Sequence, residues 1–119
     1  DRDQLLQAVL NIIRNAMQTL QENTIPDACI TLRTRVQRLF VIGKQMHRQV
    51  CRVDVIDNGA GIPADMLGTV FYPMVSGRAE GTGLGLAISQ SIIAQHHGLV
   101  ECESQPGRTR FSLYLPLEV

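Results

Sequence analysis

Three groups of residues have the types and spacing needed to bind a charged ligand, and the first is a pair of asparagines. Asn11 and Asn15 are four residues apart, which places both amides on one face of a helix. That face is otherwise apolar, so the pair needs either internal hydrogen bonds or a ligand. An amide oxygen is a neutral hard ligand, suited to Mg²⁺ that takes its other oxygens from water and phosphates. The spacing alone leaves helix–strand hydrogen bonds and a metal site both open.

The second group follows a predicted strand directly and reads Asp57-Asn58-Gly59-Ala60-Gly61. A carboxylate at a strand end can accept a hydrogen bond from an exocyclic amine, and the two glycines allow the backbone to approach a planar ligand closely. Asn-Gly is also a common turn pair. This segment alone therefore fits a ligand site and a simple turn equally well.

The third group is the run Gly81-Thr82-Gly83-Leu84-Gly85-Leu86, where a loop gives way to a predicted helix. Free amides and the helix dipole at such a junction favour an anion. The run has the spacing GxGxG with no strand before it and no Lys-Ser/Thr after it, so it matches neither the dinucleotide fingerprint nor the P-loop. The indication of a ligand site comes from finding all three groups in this order within one short domain.

The helices that must position these groups are predicted from hydrophobic periodicity. Residues 1–20 form the first helix, and Leu84–His97 form the last, with Gly98 as its stop. A short helix is predicted at Pro63–Leu67, followed by a long irregular loop, Gly68–Gly83. The apolar stripe of the first helix comprises Leu5, Leu6, Val9, Ile12, Ile13, Ala16, Met17 and Leu20.

Alternating residues predict two hairpins. The first joins the half-buried strand Ile30–Val36 to Cys51–Asp57 across Gly43-Lys44, and the second joins Leu99–Glu103 to Thr109–Leu115. The order predicts an α+β fold, a two-layer α/β sandwich with helices on one face of a mostly antiparallel mixed sheet. The length of 119 residues fits a single domain over residues 1–119.

Composition excludes several classes of function. Eleven basic residues balance eleven acidic ones, which argues against a nucleic-acid or membrane-surface binder. Three separated cysteines without a CxxC pair indicate reduced thiols in a cytoplasmic setting. Six of the eleven basic residues lie in the first hairpin, where they form either a solvated outer face or a docking surface for an acidic partner. These six are Arg33, Arg35, Arg38, Lys44, Arg48 and Arg52.

The motifs together resemble the ATP-binding catalytic domain of sensor histidine kinases, in the ATPase superfamily shared with gyrase and MutL (the Bergerat fold). The resemblance covers nearly the whole chain: Asn11 to Ala16 is similar to the N box, Asp57 to Gly61 to the G1 box, and Gly81 to Leu86 to the G2 box. Phe71-Tyr72-Pro73-Met74 resembles the F box. This segment and its continuation to Arg78 are most similar to the nitrogen-regulation sensor kinases.

The resemblance implies a role for each matching residue. Asp57 would accept from the adenine amino group, Ile62 would wall the base, and Thr109 would support adenine through water. Asn15 would ligate Mg²⁺, with Asn11 beside it contacting metal or phosphate. The remaining ATP-binding residues would be Gly59, Gly61, Gly81, Thr82, Gly83, Leu84, Gly85 and Leu86, with residues 68–82 as a lid anchored by Phe71.

Two departures from the family pattern matter. Gln18 stands where many of these kinases have Lys or Arg, so Arg78, ahead of Arg14, is the candidate cation for the phosphates. No His-Glu phosphoacceptor motif is present, and His96-His97 fit a helix cap better. The chain is thus expected to be a fragment, monomeric and unable to phosphorylate itself.

The implied reaction is transfer of the ATP γ-phosphoryl group to a histidine on a separate dimerisation domain, for relay to a response regulator. Hydrolysing relatives place Glu where this chain has Asn11, and an amide has no useful basicity for activating water. A PII-type signal protein is the regulator that the nitrogen-regulation subfamily implies. The alternatives are a non-catalytic nucleotide-sensing and docking module, and an anti-sigma-type serine kinase.

Overall fold

The computed structural model of the chain describes residues 2–62 and 83–117, with the backbone alone for residues 83–85. The predicted short helix at Pro63–Leu67 lies outside the described residues, and so does the loop Gly68–Gly83 except for its last residue. The elements in chain order are α1 (Arg2–Glu22), β1 (Ile30–Ile42), β2 (Gln45–Asp57), α2 (Gly83–Gln95), β3 (Leu99–Gln105) and β4 (Arg108–Pro116).

The four strands form one sheet in the order β1-β2-β4-β3, and every described pairing is antiparallel. Both helices pack on one face of this sheet. The core between the layers takes Ala8, Ile12 and Ala16 from α1, Leu86, Ile92 and Ile93 from α2, and Val55, Val100, Phe111 and Leu113 from the strands. The predicted two-layer α+β sandwich is therefore confirmed.

The buried face of α1 is narrower than its predicted apolar stripe. Ile12, Ala16 and Leu20 are buried as expected, together with Ala8, which the prediction omitted. Leu6 and Met17, by contrast, are about half exposed, at 56% and 48%. The fully buried residues follow one line at steps of four, and the predicted Leu5, Val9 and Ile13 are half-buried against the core beside it. The stripe was therefore too wide only at Leu6 and Met17.

The helix α2 begins at Gly83 and ends at Gln95, two residues before the predicted end at His97. The buried Ser89 hydroxyl donates to the Ala8 carbonyl at 2.8 Å and so ties α2 to α1. At the far end, His96 Nδ1 donates to the Ile92 carbonyl oxygen at 2.8 Å. The His96 side chain therefore lies at the helix end, as predicted, and gives the Ile92 carbonyl a second hydrogen bond beside that from the His96 backbone N–H at 3.3 Å.

The first hairpin is longer than predicted but turns where expected, at Gly43-Lys44. Each strand has 13 residues, and β4 pairs with β2 only from Val50 to Asp57, so the rest projects as a two-stranded arm. The predicted half-burial of β1 is wrong: Leu32 and Val36 are 55% and 59% exposed. β1 lies at the sheet edge, whereas the described core is built on β2, β3 and β4.

Half of the basic residues of the hairpin belong to an internal ion network. The Asp54 carboxylate is fully buried on the sheet. Its Oδ1 accepts from Arg52 Nε at 2.9 Å and from the Ser112 hydroxyl at 2.6 Å, and its Oδ2 accepts from Arg33 Nη2 at 3.0 Å. Arg35 Nη2 lies 3.8 Å from the same Oδ2. These three arginines are neither a simple solvated face nor freely available to a partner.

Two rings support the network. The Arg52 guanidinium lies 5.3 Å from the centroid of the Tyr114 ring, and Phe40 stacks on that ring at 4.3 Å. Cation–π contact stabilises a cation that has little access to water. The other basic residues of the hairpin, Arg38, Lys44 and Arg48, are exposed on the projecting arm.

Cys29, Cys51 and Cys102 are all free thiols, as the sequence predicts. Burial, together with the nearby Asp57 and Glu103 charges, raises the pKa of Cys102 to about 12. This thiol therefore stays protonated and unreactive at neutral pH. Neither described helix is long and apolar enough to cross a bilayer.

Candidate functional site

Asp57 is the last residue of β2 and is buried at the centre of the candidate site. It lies opposite Thr109 of β4, so the two side chains are neighbours across the sheet. Burial raises the pKa of the Asp57 carboxyl, and the Gly59 N–H, which donates to Oδ1 at 2.9 Å, partly offsets that rise. A carboxylate with one such bond has further capacity to accept a hydrogen bond from a ligand.

After Asp57 the chain continues through Gly59 and Gly61, where neighbouring atoms leave little room for a side chain. A Cβ on Gly59 would lie 3.0 Å from Asp57 Oδ1 and 3.3 Å from Leu20 Cδ2. Gly61 has φ of 92°, and its Cβ would lie 2.8 Å from the Gln105 carbonyl oxygen. Glycine is thus required at Gly61, whereas a larger residue at Gly59 would have to displace the Asp57 and Leu20 side chains. The backbone lies close to α1 on one side and to the β3–β4 hairpin on the other.

A chain of hydroxyl groups borders Asp57 on the β3 side. The Ile62 N–H donates to Ser104 Oγ at 2.7 Å, and Ser104 Oγ lies 2.7 Å from Thr109 Oγ1. Thr109 is buried, whereas Ile62 and Ser104 are half-buried. The sequence predicted Ile62 and Thr109 as site residues but missed Ser104. The available signal was its position opposite Thr109 in the closing hairpin.

Thr19 connects the asparagines of α1 to this centre. Its Cγ2 lies 3.8 Å from the Cβ position of Gly59, and its hydroxyl donates to the Asn15 carbonyl at 2.9 Å. Asn15 and Asn11 follow at steps of four, so they lie about 6 and 12 Å farther along the helix axis on the same side. Both are half-buried at the edge of the core face. Asn11 and the exposed Arg14 line one surface cavity of about 280 Å³.

The first turn of α2 supplies the candidate anion site. The backbone of Gly83, Leu84 and Gly85 is already helical, so its N–H groups lack partners within the helix. The Leu86 side chain is buried in the core, 5% exposed, which leaves only its backbone for a ligand. The partial positive charge of this helix end favours phosphate oxygens.

Asn58, inside the second motif, has a structural role. Its Nδ2 donates to the Asp27 carbonyl at 2.8 Å, and its Oδ1 accepts from the Cys29 N–H at 2.8 Å. These bonds fix the loop between α1 and β1 against the end of β2. The predicted contributions of Arg78, Gly81, Thr82 and the Phe71 lid anchor fall outside the described residues.

The residue types at the site fit a magnesium ion bound together with a polyphosphate. Among the described residues, no group of three or more His, Cys, Asp or Glu side chains could hold a metal. Asn15 and Asn11 offer neutral amide oxygens, and Mg²⁺ characteristically binds a few protein oxygens and completes its shell with water and phosphate.

Comparison with known proteins identifies the family to which the chain belongs. The family model of histidine kinase-, DNA gyrase B-, and HSP90-like ATPases matches residues 1–119. The sensory histidine kinase/phosphatase NtrB of Klebsiella oxytoca is 50% identical over 117 residues, covering 98% of this chain and 33% of the relative. The NtrB of Proteus hauseri is 47% identical over 116 residues, covering 98% of this chain and 32% of the relative.

Solved structures with the same architecture include sensor kinases. The mycobacterial sensor histidine kinase MprB superposes with a TM-score of 0.77 at 25% identity, covering 98% of this chain and 74% of that protein chain. The catalytic domain of histidine kinase ThkA superposes at 0.75 with 26% identity, covering 98% and 68%. The chain spans about a third of the length of the NtrB relatives. It therefore belongs to the histidine kinase-, DNA gyrase B-, and HSP90-like ATPases, as an ATP-binding domain of the histidine kinase type.

Proposed function

We propose that the chain binds Mg-ATP and donates its γ-phosphoryl group to a histidine on a separate dimerisation domain of the same sensor kinase. The observation that carries the proposal is the buried Asp57, bordered by Thr109 and by the two close-packed glycines, with Asn15 about one helical turn beyond Thr19. The site for the adenine base and the site for the phosphates and the metal would then be adjacent.

The base is held at the Asp57 end. The carboxylate accepts from the adenine amino group, and Thr109 supports the adjacent ring nitrogen through water. Ile62 walls the base from the side on which its own N–H is held by Ser104. Because Asp57 is buried, water competes weakly for this hydrogen bond, which strengthens the preference for a ligand with an amino group.

The phosphates lie at the first turn of α2, where backbone N–H groups of residues 83–85 face them. Asn15, with Asn11 beside it, would hold the magnesium ion, whose charge offsets that of the phosphates when it is bound. Arg78 is proposed as the additional cation, and Arg14 is the second candidate because it shares a cavity with Asn11.

The reaction is an in-line transfer to an imidazole nitrogen. That nitrogen attacks the γ-phosphorus, the bond to the β–γ bridging oxygen breaks, and ADP leaves while the imidazole loses its N–H proton. The chain contributes positioning and fixed dipoles. Asn11 cannot take a proton from water, so hydrolysis lacks the base that commonly contributes ~10²–10⁴ in rate.

A transfer assay in trans tests this function. The chain is mixed with γ-labelled ATP, Mg²⁺ and a purified dimerisation domain of a nitrogen-regulation sensor kinase. We expect acid-labile, alkali-stable label on that domain, and neither label nor rapid phosphate release from the chain alone. Bound ATP without transfer would favour the alternative of a nucleotide-sensing docking module, whereas label on serine of a partner protein would favour an anti-sigma-type kinase.

The remaining partners follow from the same proposal. A response regulator would take the phosphoryl group from the histidine, and a PII-type signal protein would regulate the kinase. The exposed Arg38, Lys44 and Arg48 of the projecting arm offer a basic surface to such a partner. The domain is proposed to act in the cytoplasm, as a monomeric unit tethered to its dimerisation domain.

Asp57→Asn is expected to weaken ATP binding ~10- to 100-fold, because a hydrogen bond to a charged group is lost. The amide is isosteric, can still accept from Gly59 N–H, and adds a donor that suits the O6 of guanine. The ATP-over-GTP preference should therefore fall, as measured by calorimetry with each nucleotide. An unchanged preference would contradict the adenine contact. Lowering the pH toward the raised pKa of Asp57 should weaken ATP binding by the wild type in the same direction.

A further inference from the structure

We propose that Ser104 is a positioning residue that fixes the Thr109 hydroxyl as a donor toward the base site and so contributes to selection of adenine over guanine. The inference rests on the proposed ATP site. Ser104 Oγ is 2.7 Å from the Ile62 nitrogen and 2.7 Å from Thr109 Oγ1, so one hydroxyl joins the loop after β2 to the buried threonine of β4.

Of the two hydrogen bonds, the one from Ile62 has a fixed direction, and cooperativity favours one direction for the other. A backbone N–H can only donate, so Ser104 Oγ accepts from Ile62. A hydroxyl that accepts a hydrogen bond becomes a better donor, and Thr109 Oγ1 lies at ideal O–H···O distance. We therefore take Ser104 as the donor and Thr109 as the acceptor of this hydrogen bond, although the distance alone allows either direction. The hydrogen of Thr109 then turns away from Ser104.

The resulting order of donor and acceptor has a consequence for the base. Asp57, an acceptor, is the cross-strand neighbour of Thr109, which is now a donor. Adenine presents an amino donor beside a ring-nitrogen acceptor, and guanine presents a carbonyl acceptor beside an N–H donor. The pair Asp57–Thr109 complements the adenine edge directly or through one water, and it opposes the guanine edge where the Thr109 hydroxyl reaches the base directly. If the Thr109 hydroxyl pointed toward Ser104 instead, the site would lose the donor that complements the adenine ring nitrogen.

Ser104 also holds the loop at Ile62. A test must therefore separate this structural effect from the effect of Ser104 on the Thr109 hydroxyl, which we call the hydroxyl relay. Ser104→Ala removes both, Ser104→Thr restores a hydroxyl, and Thr109→Val removes the relay end while keeping its shape. We expect Ser104→Ala to lower the ratio of ATP to GTP affinity by about five- to tenfold, the usual effect of one hydrogen bond, and Ser104→Thr to restore it. Thr34→Ala, an exposed hydroxyl loss on β1, should leave the ratio unchanged.

The double variant decides whether Ser104 acts through Thr109. In the Thr109→Val background, Ser104→Ala should have little further effect on the ATP-to-GTP ratio, since coupled residues are not additive. The assay is calorimetry with Mg-ATP and Mg-GTP, alongside thermal unfolding. Equal loss of both nucleotides in Ser104→Ala, or additive effects in the double variant, would overturn the relay while leaving the ATP site intact. A wild type that binds neither nucleotide would instead overturn the proposed function.

Discussion

Asp54→Asn should lower the free energy of unfolding by about 3 kcal/mol and the melting temperature by ~12 °C. The substitution keeps the shape of the side chain but removes its charge. Arg52, whose side chain is only 11% exposed, would then be a buried cation without a counter-ion. The effect lies at the lower end of the range for broken buried ion pairs because Arg33 and Arg35 are nearly half exposed and can turn toward water.

The same network predicts how the loss depends on pH. Burial by itself raises the pKa of Asp54, but hydrogen bonds from Ser112, Arg52 and Arg33 outweigh it and hold the pKa below its ordinary value of 3.8. A lowered pKa means that the folded state favours the ionised form, so the stabilisation is present above about pH 4. It is lost as the pH falls further. The difference between wild type and Asp54→Asn should therefore shrink under acid conditions.

Denaturant unfolding of a matched variant provides the control. Glu103 pairs with Arg110 at 2.8 Å on the same sheet, but its carboxylate side chain is 68% exposed. Glu103→Gln should cost no more than ~1 kcal/mol, because the carboxylate that it replaces is largely solvated and the glutamine oxygen can still accept from Arg110, whose side chain is 15% exposed. If Asp54→Asn and Glu103→Gln gave equally small losses, the Asp54 network would not be a stabilising centre.

Features determined by local sequence could be predicted, and those determined by strand pairing mostly could not. The helices of residues 2–22 and 83–95 follow from periodicity, and the first hairpin turns at its predicted glycine. The exposure of Leu32 and Val36 could not be predicted, because the alternation of β1 is the same whether or not a helix covers that face. Burial depends on which strand lies at the sheet edge, a non-local property.

Part of the ion network could have been predicted from the sequence. A two-residue turn at 43–44 places Arg33 opposite Asp54 and Arg35 opposite Arg52, which is the observed register. Counting six basic residues as one patch obscured this pairing. The position of Ser112 beside Asp54 additionally requires the pairing of β2 with β4, which are 50 residues apart in the chain and linked by no local signal.

The same distinction between local sequence and non-local contacts applies to the candidate site. Asp57 and the glycines lie in motifs, so their types and spacing pointed to them, whereas Thr109 was predicted from the family resemblance. Ser104 belongs to no motif: its importance depends on the approach of Ile62 across 42 residues of sequence. Asn58, inside a motif, bonds to the α1–β1 loop instead of facing the site. Motif membership thus indicates which segments approach a ligand, and three-dimensional contacts decide which side chains face it.

Asn15→Ala should reduce the affinity for Mg-ATP by at least about a hundredfold, the largest change expected at the site. Loss of a residue that only supports a metal ligand commonly costs 10- to 100-fold, and removal of a ligand itself should cost no less. Alanine is a better helix former than asparagine, so α1 should be retained. The Ala16 and Ile12 side chains next to the position remain in the core.

The effect should be specific for the metal-bound phosphates. Affinity for AMP without Mg²⁺ depends on the Asp57 end, one helical turn and more away, and should change little in Asn15→Ala. Gln21→Ala, an exposed amide loss on the same helix, should alter neither measurement. Calorimetry with Mg-ATP, metal-free ATP and AMP separates these cases.

Asn15→Asp distinguishes a metal ligand from a hydrogen-bonding amide at this position. A carboxylate oxygen can still bind Mg²⁺, so Mg-ATP affinity should partly recover relative to Asn15→Ala, while metal-free ATP should bind worse because like charges repel. An amide that served only the packing of α1 would give no such divergence between the two forms of ATP. If Mg²⁺ improved ATP binding equally in wild type, Asn15→Ala and Asn15→Asp, the metal would have to be held elsewhere, and the phosphate site would need to be reassigned to residues other than those of α1.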